Sequence, residues 1–470
     1  MIRFFNTLSG RVEEFKPLSP ARVGLYACGP TVYAYPHIGN YRAYVFEDLL
    51  KRFLKFMGSA VYHVMNITDV DDKTIKGANS QGISLQEYTR VYTQAFFEDI
   101  RILNIQPADV YPRATEHIPE MVALIQGLVR KGFAYEKDGS VYFSIAKFPG
   151  YGRLSKIELG QLQPGQRGDA DEYEKECVHD FALWKKSKEG EPFWDTELGP
   201  GRPGWHVECS AMSSKYLGPT FDIHCGGVDN IFPHHENEIA QSEAFSGRAF
   251  VTHWMHCHHL VVDGEKMSKS KGNFYTLRDV LDRNIDPLDV RFLLLSTHYR
   301  KTLNFTFEAL DQAAAARRRI IDFLYELEHR SLPAESRTEW TDQVDETLNR
   351  FRLGLSDDLN ISLAITAMFE LIRSANSGLA AGRLGQPDAQ TLRAGLESLD
   401  EVLGVLPAKK EVKLEDRILN KIEEREQARR AKEFIRADQI RVELLAEGVV
   451  LEDTRDGVRW KLTKPDERAS

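Results

Sequence analysis

The chain has 470 residues, which at roughly 150 residues per domain predicts about three domains. Its 61 Lys and Arg against 70 Asp and Glu leave a formal charge of −9, and with 42% hydrophobic and 28% charged residues it is an ordinary globular composition, which excludes a disordered chain and blanket nucleic-acid binding but leaves room for a local basic stripe. No apolar run approaches the ~20 residues of a membrane span, the opening MIRFFNTLSGRVEEF lacks the apolar core and cleavage site of a secretory signal, and the scattered Cys28, Cys177, Cys209, Cys225 and Cys257 make no disulfide framework, so a cytoplasmic protein without a membrane partner is expected.

VGLYAC (Val23 to Cys28) reads as a buried strand ended by Gly29-Pro30. After His37-Ile38-Gly39-Asn40, the apolar positions Phe46, Leu49, Leu50, Phe53, Leu54 and Met57 recur at helical spacing, with Gly58 as the stop. A second strand, AVYHVMNI, leads into Thr68-Asp69-Val70-Asp71-Asp72-Lys73 and another helical region. This β–helix–β start predicts a parallel sheet with its ligand site at the strands' C-terminal ends. Residues 114–200 change texture: a helix (Ile118 to Lys131), a hairpin signal at Asp138-Gly139, then a polar, Gly-rich stretch, together read as an insertion that splits the first half (1–113) from the second (201–250). Beyond it lie a strand at Phe221 to His224, a helical PHHENEIAQSEAF, and a strand around MHCHHLVV that opens a region, 251–304, containing a lysine-rich loop. Residues 305–407 read as a helical bundle. Residues 408–470 begin with a charged linker at Ala408 to Val412, then predict one long amphipathic helix (Leu414 to Glu447) and a small hairpin.

The chemistry begins at His37-Ile38-Gly39-Asn40. His37 and Asn40, three apart in a first helical turn, face one way beside unpaired backbone N–H groups that suit a phosphate, and Gly39 lets a base or ribose approach the backbone. Lys266-Met267-Ser268-Lys269-Ser270 follows a strand; its two ammonium groups suit a pentavalent phosphorus and a departing pyrophosphate. Eight of the 14 histidines fall between His206 and His259, which points to a metal or phosphate site. Cys28 at a strand end, Cys209 on a helix, and His234 and Glu238 at i, i+4 suit zinc, with Cys225, Cys257, His224 and His235 as competing ligands.

HIGN with KMSKS resembles the class I aminoacyl-tRNA synthetases. GLYACGPTVYAYPHIGN, NITDVDDK, PGWHVECSAM, GGVDNIFPHHENEIAQ, GEKMSKSKGN and the terminal RxxARRAKEFIRADQIR resemble the cysteinyl-tRNA synthetase family in particular, over essentially the whole chain. The resemblance implies an α/β fold: a Rossmann-type parallel-sheet catalytic domain split by an insertion, then an α-helical bundle and a small C-terminal mixed α/β anticodon-binding unit. It implies one Zn²⁺ per chain on Cys28, Cys209, His234 and Glu238, and ATP as substrate with Mg²⁺. His37, Asn40, Lys266 and Lys269 would be catalytic. His37, Gly39, Asn40, Asp229 and Lys269 would bind ATP, and Thr68 and Trp205 would contact L-cysteine. Family members commonly have a second histidine where this chain has Asn40, which donates a hydrogen bond but carries no charge. Zinc bound to a thiolate distinguishes cysteine from serine, which an apolar pocket does poorly, and the insertion is not an editing domain.

The C-terminal Arg417, Lys421, Arg425, Arg429, Lys432 and Arg436 repeat at three- and four-residue steps, predicting a basic stripe on one helix. A solvated face is the competing reading, since the segment is nearly neutral. With Phe434 and Trp460 available for stacking, Arg425, Arg429 and Arg436 are assigned by resemblance to the anticodon loop of tRNA(Cys). The expected function is ATP-dependent ligation of L-cysteine to tRNA(Cys) by a monomer. Its rivals are a cysteine ligase acting on an amino-sugar, which lacks the C-terminal unit, and a non-catalytic tRNA-binding regulator, in which active-site residues would be lost.

Overall fold

The computed structural model describes residues 1–157, 180–268, 271–335, 339–407, 416–454 and 457–462. Cys177, the polar stretch of the insertion, Lys269 and the linker at 408–412 lie outside the described residues, as do the side chains of Arg417 and Trp460.

Four parallel strands form the central sheet in the order Val251–Cys257, Phe221–Gly227, Val23–Ala27, Val61–Met65. Val23–Ala27 is buried along its whole length, as a central parallel strand covered on both faces must be. The helix Ile38–Phe56 crosses from this strand to the next, and its apolar stripe of Val45, Phe46, Leu49, Leu50, Phe53 and Leu54 is buried. Its start is fixed by a reciprocal cap: His37 Nδ1 accepts from the Asn40 N–H at 3.2 Å, and Asn40 Oδ1 accepts from the His37 N–H at 3.0 Å.

Between the two halves of this sheet, Ala134–Lys137, Ser140–Phe143, Phe181–Lys186 and Gly201–Pro203 form a separate antiparallel sheet. Its first turn is Asp138-Gly139, with φ of 54° and 81°, the left-handed pair that a two-residue hairpin needs. Gly201–Pro203 belongs to this sheet, so the insertion's structure runs three residues past the predicted end at Pro200. Pro287–Ser296 starts at Asp286, whose side chain accepts from Leu288 N, as the Asp-Pro pair predicts. Four helices follow among the described residues: Phe307–His329, Glu339–Ser356, Ile361–Ala380 and Gln386–Leu403. Their apolar faces share one core with Ile38–Phe56 and the central sheet.

The C-terminal region departs from the prediction. In place of one long helix there are two, Asp416–Arg430 and Phe434–Ala446, followed by the expected hairpin Val449–Thr454 and Gly457–Leu462. Lys432, at φ 62°, turns the chain, and the helices close on a small core of Ile418, Ile422, Ile440, Leu444, Val449 and Leu451. A single helix would leave these side chains in water. The basic stripe is therefore not one continuous helix face. Arg425 is buried beside Glu426, Lys421 pairs with Glu443 and Glu447, and Arg436 pairs with Glu424 at 2.7 Å. Arg429 and Phe434 remain exposed.

Candidate active site and metal centre

The site lies at the C-terminal ends of the parallel strands, where open α/β sheets bind ligands. Cys28 follows Val23–Ala27, Asp229 follows Phe221–Gly227, and Thr68 follows Val61–Met65. The two signature loops touch each other. Ile38 N donates to Tyr275 O at 3.0 Å, His37 bridges to Thr276, and the His37 ring meets Phe274 edge-on at 5.4 Å. A Cβ on Gly39 would lie 2.8 Å from Met267 Cε. Lys266 ends the short strand Glu265–Lys266 and is exposed, while Lys271 pairs with Glu265 at 2.7 Å.

Burial lowers the pKa of His37, although the carboxylate of Asp229 nearby acts the other way. Its Nδ1 accepts the Asn40 N–H, so a neutral ring carries its proton on Nε2. His37 thus offers a phosphate a hydrogen-bond donor. Asn40 is committed through Oδ1 to the helix cap.

Beside these loops, one ligand atom each from Cys28, His234, His235 and Glu238 falls within 4.8 Å of all the others. Cys28 Sγ lies 3.2 Å from His235 Nε2, and Glu238 Oε1 lies 3.0 Å from His234 Nε2 and 3.9 Å from His235 Nε2. Cys209, on the helix Trp205–Leu217, is not one of these four, but it is near enough to Cys28 and His234 to be influenced by both. Of the competing ligands, His235 joins the cluster and His224 holds Glu238 Oε2 at 2.9 Å. Cys225 and Cys257 are buried in the main core instead.

Charge is strongly redistributed here. Burial alone would raise both thiols, and Cys28 does stay high. The hydrogen bond from Cys28 and the imidazole of His234 bring Cys209 down to about 6. Burial opposes charge on His234 and Glu238 as well, yet Glu238 and Cys209 raise His234 to about 10, while His224 and His234 lower Glu238 to about 2. Buried Glu238 Oε1 receives no aligned hydrogen bond. Thiolate, imidazole and carboxylate atoms this close, with one carboxylate oxygen unsatisfied, fit a single zinc-like ion at bond lengths of about 2.0–2.3 Å.

Trp205 stacks on His234, with centroids 4.0 Å apart at 22°, and is still 39% exposed, so the indole walls the cluster and keeps an open side. Thr68 is placed differently from an open substrate contact: it is buried, and its hydroxyl donates to Glu208 at 2.8 Å. Burial, with Cys209 adding to it, pushes the Glu208 carboxyl well above its ordinary range; the sequence reading does not single out Glu208, nor His206 and His256. His206 Nδ1 lies 2.9 Å from His234 Nδ1, and His256 Nε2 lies 2.8 Å from His235 Nδ1. The crowding of histidines after residue 206 was the available signal.

Residues 14–315 match the family model for the tRNA synthetases class I (C) catalytic domain, and residues 350–407 match the DALR domain. The chain is 49% identical over 463 residues to the cysteine–tRNA ligase of Chlamydia pneumoniae, covering 97% of this chain and 98% of that one. It is 50% identical over 468 residues to the cysteine–tRNA ligase of Leptospira interrogans, covering 98% and 99%. Among solved structures, Mycobacterium tuberculosis methionyl-tRNA synthetase in complex with methionyl-adenylate shares the fold, with a TM-score of 0.58, 16% identity, and 82% and 90% coverage.

Proposed function

The chain belongs to the cysteine–tRNA ligase family of class I tRNA synthetases, and we propose that it joins L-cysteine to tRNA(Cys) through a cysteinyl-adenylate, with its metal cluster selecting the substrate thiol. The observation that carries this reading is the convergence of Cys28, His234, His235 and Glu238 beside Trp205 and the paired signature loops.

In the first step a cysteine carboxylate oxygen attacks the α-phosphorus of ATP; the new P–O bond forms as the bond to pyrophosphate breaks. In the second, the terminal ribose hydroxyl of tRNA attacks the mixed-anhydride carbonyl and AMP leaves. No side chain serves as a covalent nucleophile. The Nε2–H of His37, the helix N-terminus at Gly39 and Asn40, and Lys266 with Lys269 hold and neutralise the phosphates, with Mg²⁺ accompanying ATP. Asp229, beside His37, takes the adenosine side. Trp205 closes one wall of the cysteine pocket.

Zinc would be held by Cys28, His234 and Glu238 of this cluster, with Cys209, the ligand that the family resemblance implies, in place of His235; it would stabilise the substrate as a thiolate and leave serine's hydroxyl unbound. His224, stacked on Trp254 at 4.5 Å, fixes the carboxylate of Glu238. At the far end, Arg429, Phe434, Arg436 and Trp460 are the residues proposed for the anticodon loop. Arg425 is left out of this set because its side chain is buried. The enzyme is proposed to act in the cytoplasm as a monomer.

Charging of tRNA(Cys) transcripts with cysteine and ATP, together with metal analysis, tests the proposal. One zinc per chain is expected. Cys209→Ser should lose both the metal and the preference for cysteine over serine in pyrophosphate exchange. Freshly purified protein without zinc, or a Cys209→Ser variant with unchanged selectivity, would overturn the metal assignment.

A further inference from the structure

The loop between Val23–Ala27 and Ile38–Phe56 carries two tyrosines that neither reaction step uses. Tyr33 and Tyr35 are 39% and 41% exposed, unlike the buried tyrosines Tyr26, Tyr41 and Tyr44 around them. Both are braced. The Tyr88 hydroxyl donates to Tyr33 O at 2.7 Å, and Tyr33 N donates to Thr31 O at 3.0 Å. The Tyr35 ring meets Tyr92 edge-on at 5.3 Å, and Tyr92 in turn packs on Tyr88 at 5.2 Å.

Each exposed ring also has a cation on it. Lys73 Nζ is 5.2 Å from the Tyr33 centroid, and the Arg278 guanidinium is 4.9 Å from that of Tyr35. Glu98 and Asp99 fix Arg278 at 3.1 and 3.4 Å. Tyr35 stands two residues before His37, and Arg278 two residues after Thr276, which bridges to His37. The rings therefore lie at the mouth of the site, beside both signature loops.

Half-exposed rings next to cations, with the Tyr35 ring packed on Tyr92 and Arg278 held by two carboxylates, match the chemistry of an unpaired nucleotide strand: bases stack on π-faces and phosphates meet the positive charge. We propose that Tyr33 and Tyr35 form a stacking platform for the unpaired 3′ end of tRNA, with Lys73 beside the phosphate between the stacked bases. The platform rests on the tRNA-charging reading and would act in the second step only.

The full-length protein carrying Tyr33→Ala, Tyr35→Ala or both is compared with Tyr33→Phe and Tyr35→Phe, which keep the rings. Three measurements are made: cysteine-dependent pyrophosphate exchange without tRNA, single-turnover transfer from preformed adenylate to tRNA, and tRNA binding with and without its three terminal nucleotides. The double alanine variant should slow transfer at least tenfold, keep exchange within twofold, and lose the wild-type preference for the complete 3′ end. The phenylalanine variants should behave like wild type. Retained preference for the complete end, equal losses in exchange and transfer, or a defect shared by the phenylalanine variants would each overturn the platform. Wild-type protein without cysteine-dependent exchange would instead overturn the charging reading itself.

Discussion

Gly39 has no room for a side chain: a Cβ would stand 2.8 Å from Met267 Cε and 3.0 Å from two atoms of the His37 ring. The methionine tip can yield, but the imidazole is held by its cap and must give by a few tenths of an ångström, which shifts the group proposed to face phosphate. Misplacement of about 1 Å can cost around a hundredfold in rate. A shift of a few tenths of that distance predicts that Gly39→Ala lowers the cysteine-dependent pyrophosphate exchange rate roughly threefold or more while leaving the thermal midpoint within about 2 °C, since the site is partly open. A variant with wild-type exchange would show that the contact between the loops has no part in adenylation. At this scale the sequence was informative where spacing itself encodes contact. His234 and Glu238, four apart on one helical face, do meet. Cys28 and Cys209 could be joined only by resemblance, because no local pattern links residues so far apart. Glu208 and His256 were invisible for the same reason: their partners Thr68 and His235 come from other strands and helices.

A buried ionic knot ties the helix Ile38–Phe56 to the bundle. Asp48 takes Arg52 at 2.7 Å and Arg291 at 2.5 Å, and accepts from Gln106 N at 2.8 Å. The two arginines in turn donate to the last carbonyls of Gln386–Leu403: Arg52 to Glu401 O at 3.0 Å and Arg291 to Leu403 O at 2.8 Å. Cations there satisfy groups that a helix C-terminus leaves unpaired. Burial opposes ionisation of Asp48, but Arg291 and Arg52 outweigh it and hold the carboxyl below its ordinary range. A depressed folded pKa contributes stability that is complete above the unfolded aspartate pKa and is lost as pH falls through the folded one. Asp48→Asn removes the nearest counter-charge of two buried guanidinium groups and leaves only the more distant Asp400, a change of a kind that typically costs up to about 3–5 kcal/mol. Its urea midpoint should fall at neutral pH, and the gap from wild type should narrow in acid, where Asp48 is protonated. A gap independent of pH would assign the loss to packing rather than charge. Elements with strong periodicity and explicit ends were legible: Ile38–Phe56 with its cap, the Asp138-Gly139 hairpin, and Asp286-Pro287 before Pro287–Ser296. The break in the C-terminal helix was not. It turns on Lys432 at positive φ, with neither Gly nor Pro to announce it, and is stabilised by Ile418 and Ile422 meeting Ile440 and Leu444.

Across the whole molecule, the parallel sheet was legible as a fold class, because the β–helix–β texture appears on both sides of the insertion. Its strand order was not, since pairing between the two halves leaves no local mark. Val23–Ala27 pairs with Val61–Met65 on one side and with Phe221–Gly227 on the other, and the latter pairs with Val251–Cys257. Residues 1–113 made alone would leave one edge of Val23–Ala27 open, an unpaired strand of five wholly buried residues of the kind that templates aggregation. Expressed by themselves they should collect in the insoluble fraction, and co-expression with residues 114–470 should return them to solution. Solubility of the fragment alone would show that the amino-terminal half needs no partner strand.

The same strand order sets a timetable during synthesis. Roughly 150 residues lie between the second strand to be made and the third, so at roughly 5–20 residues per second the amino-terminal strands wait about 10–30 s for their neighbour to leave the ribosome. Throughout that interval Cys28 and the His37 loop sit beside an unfinished edge, without the Phe221–Gly227 strand or the histidines that follow it. The metal proposed for this cluster could therefore be captured by the complete set only after His234 and Glu238 have emerged, which would make loading of the centre a late event in the life of each new chain.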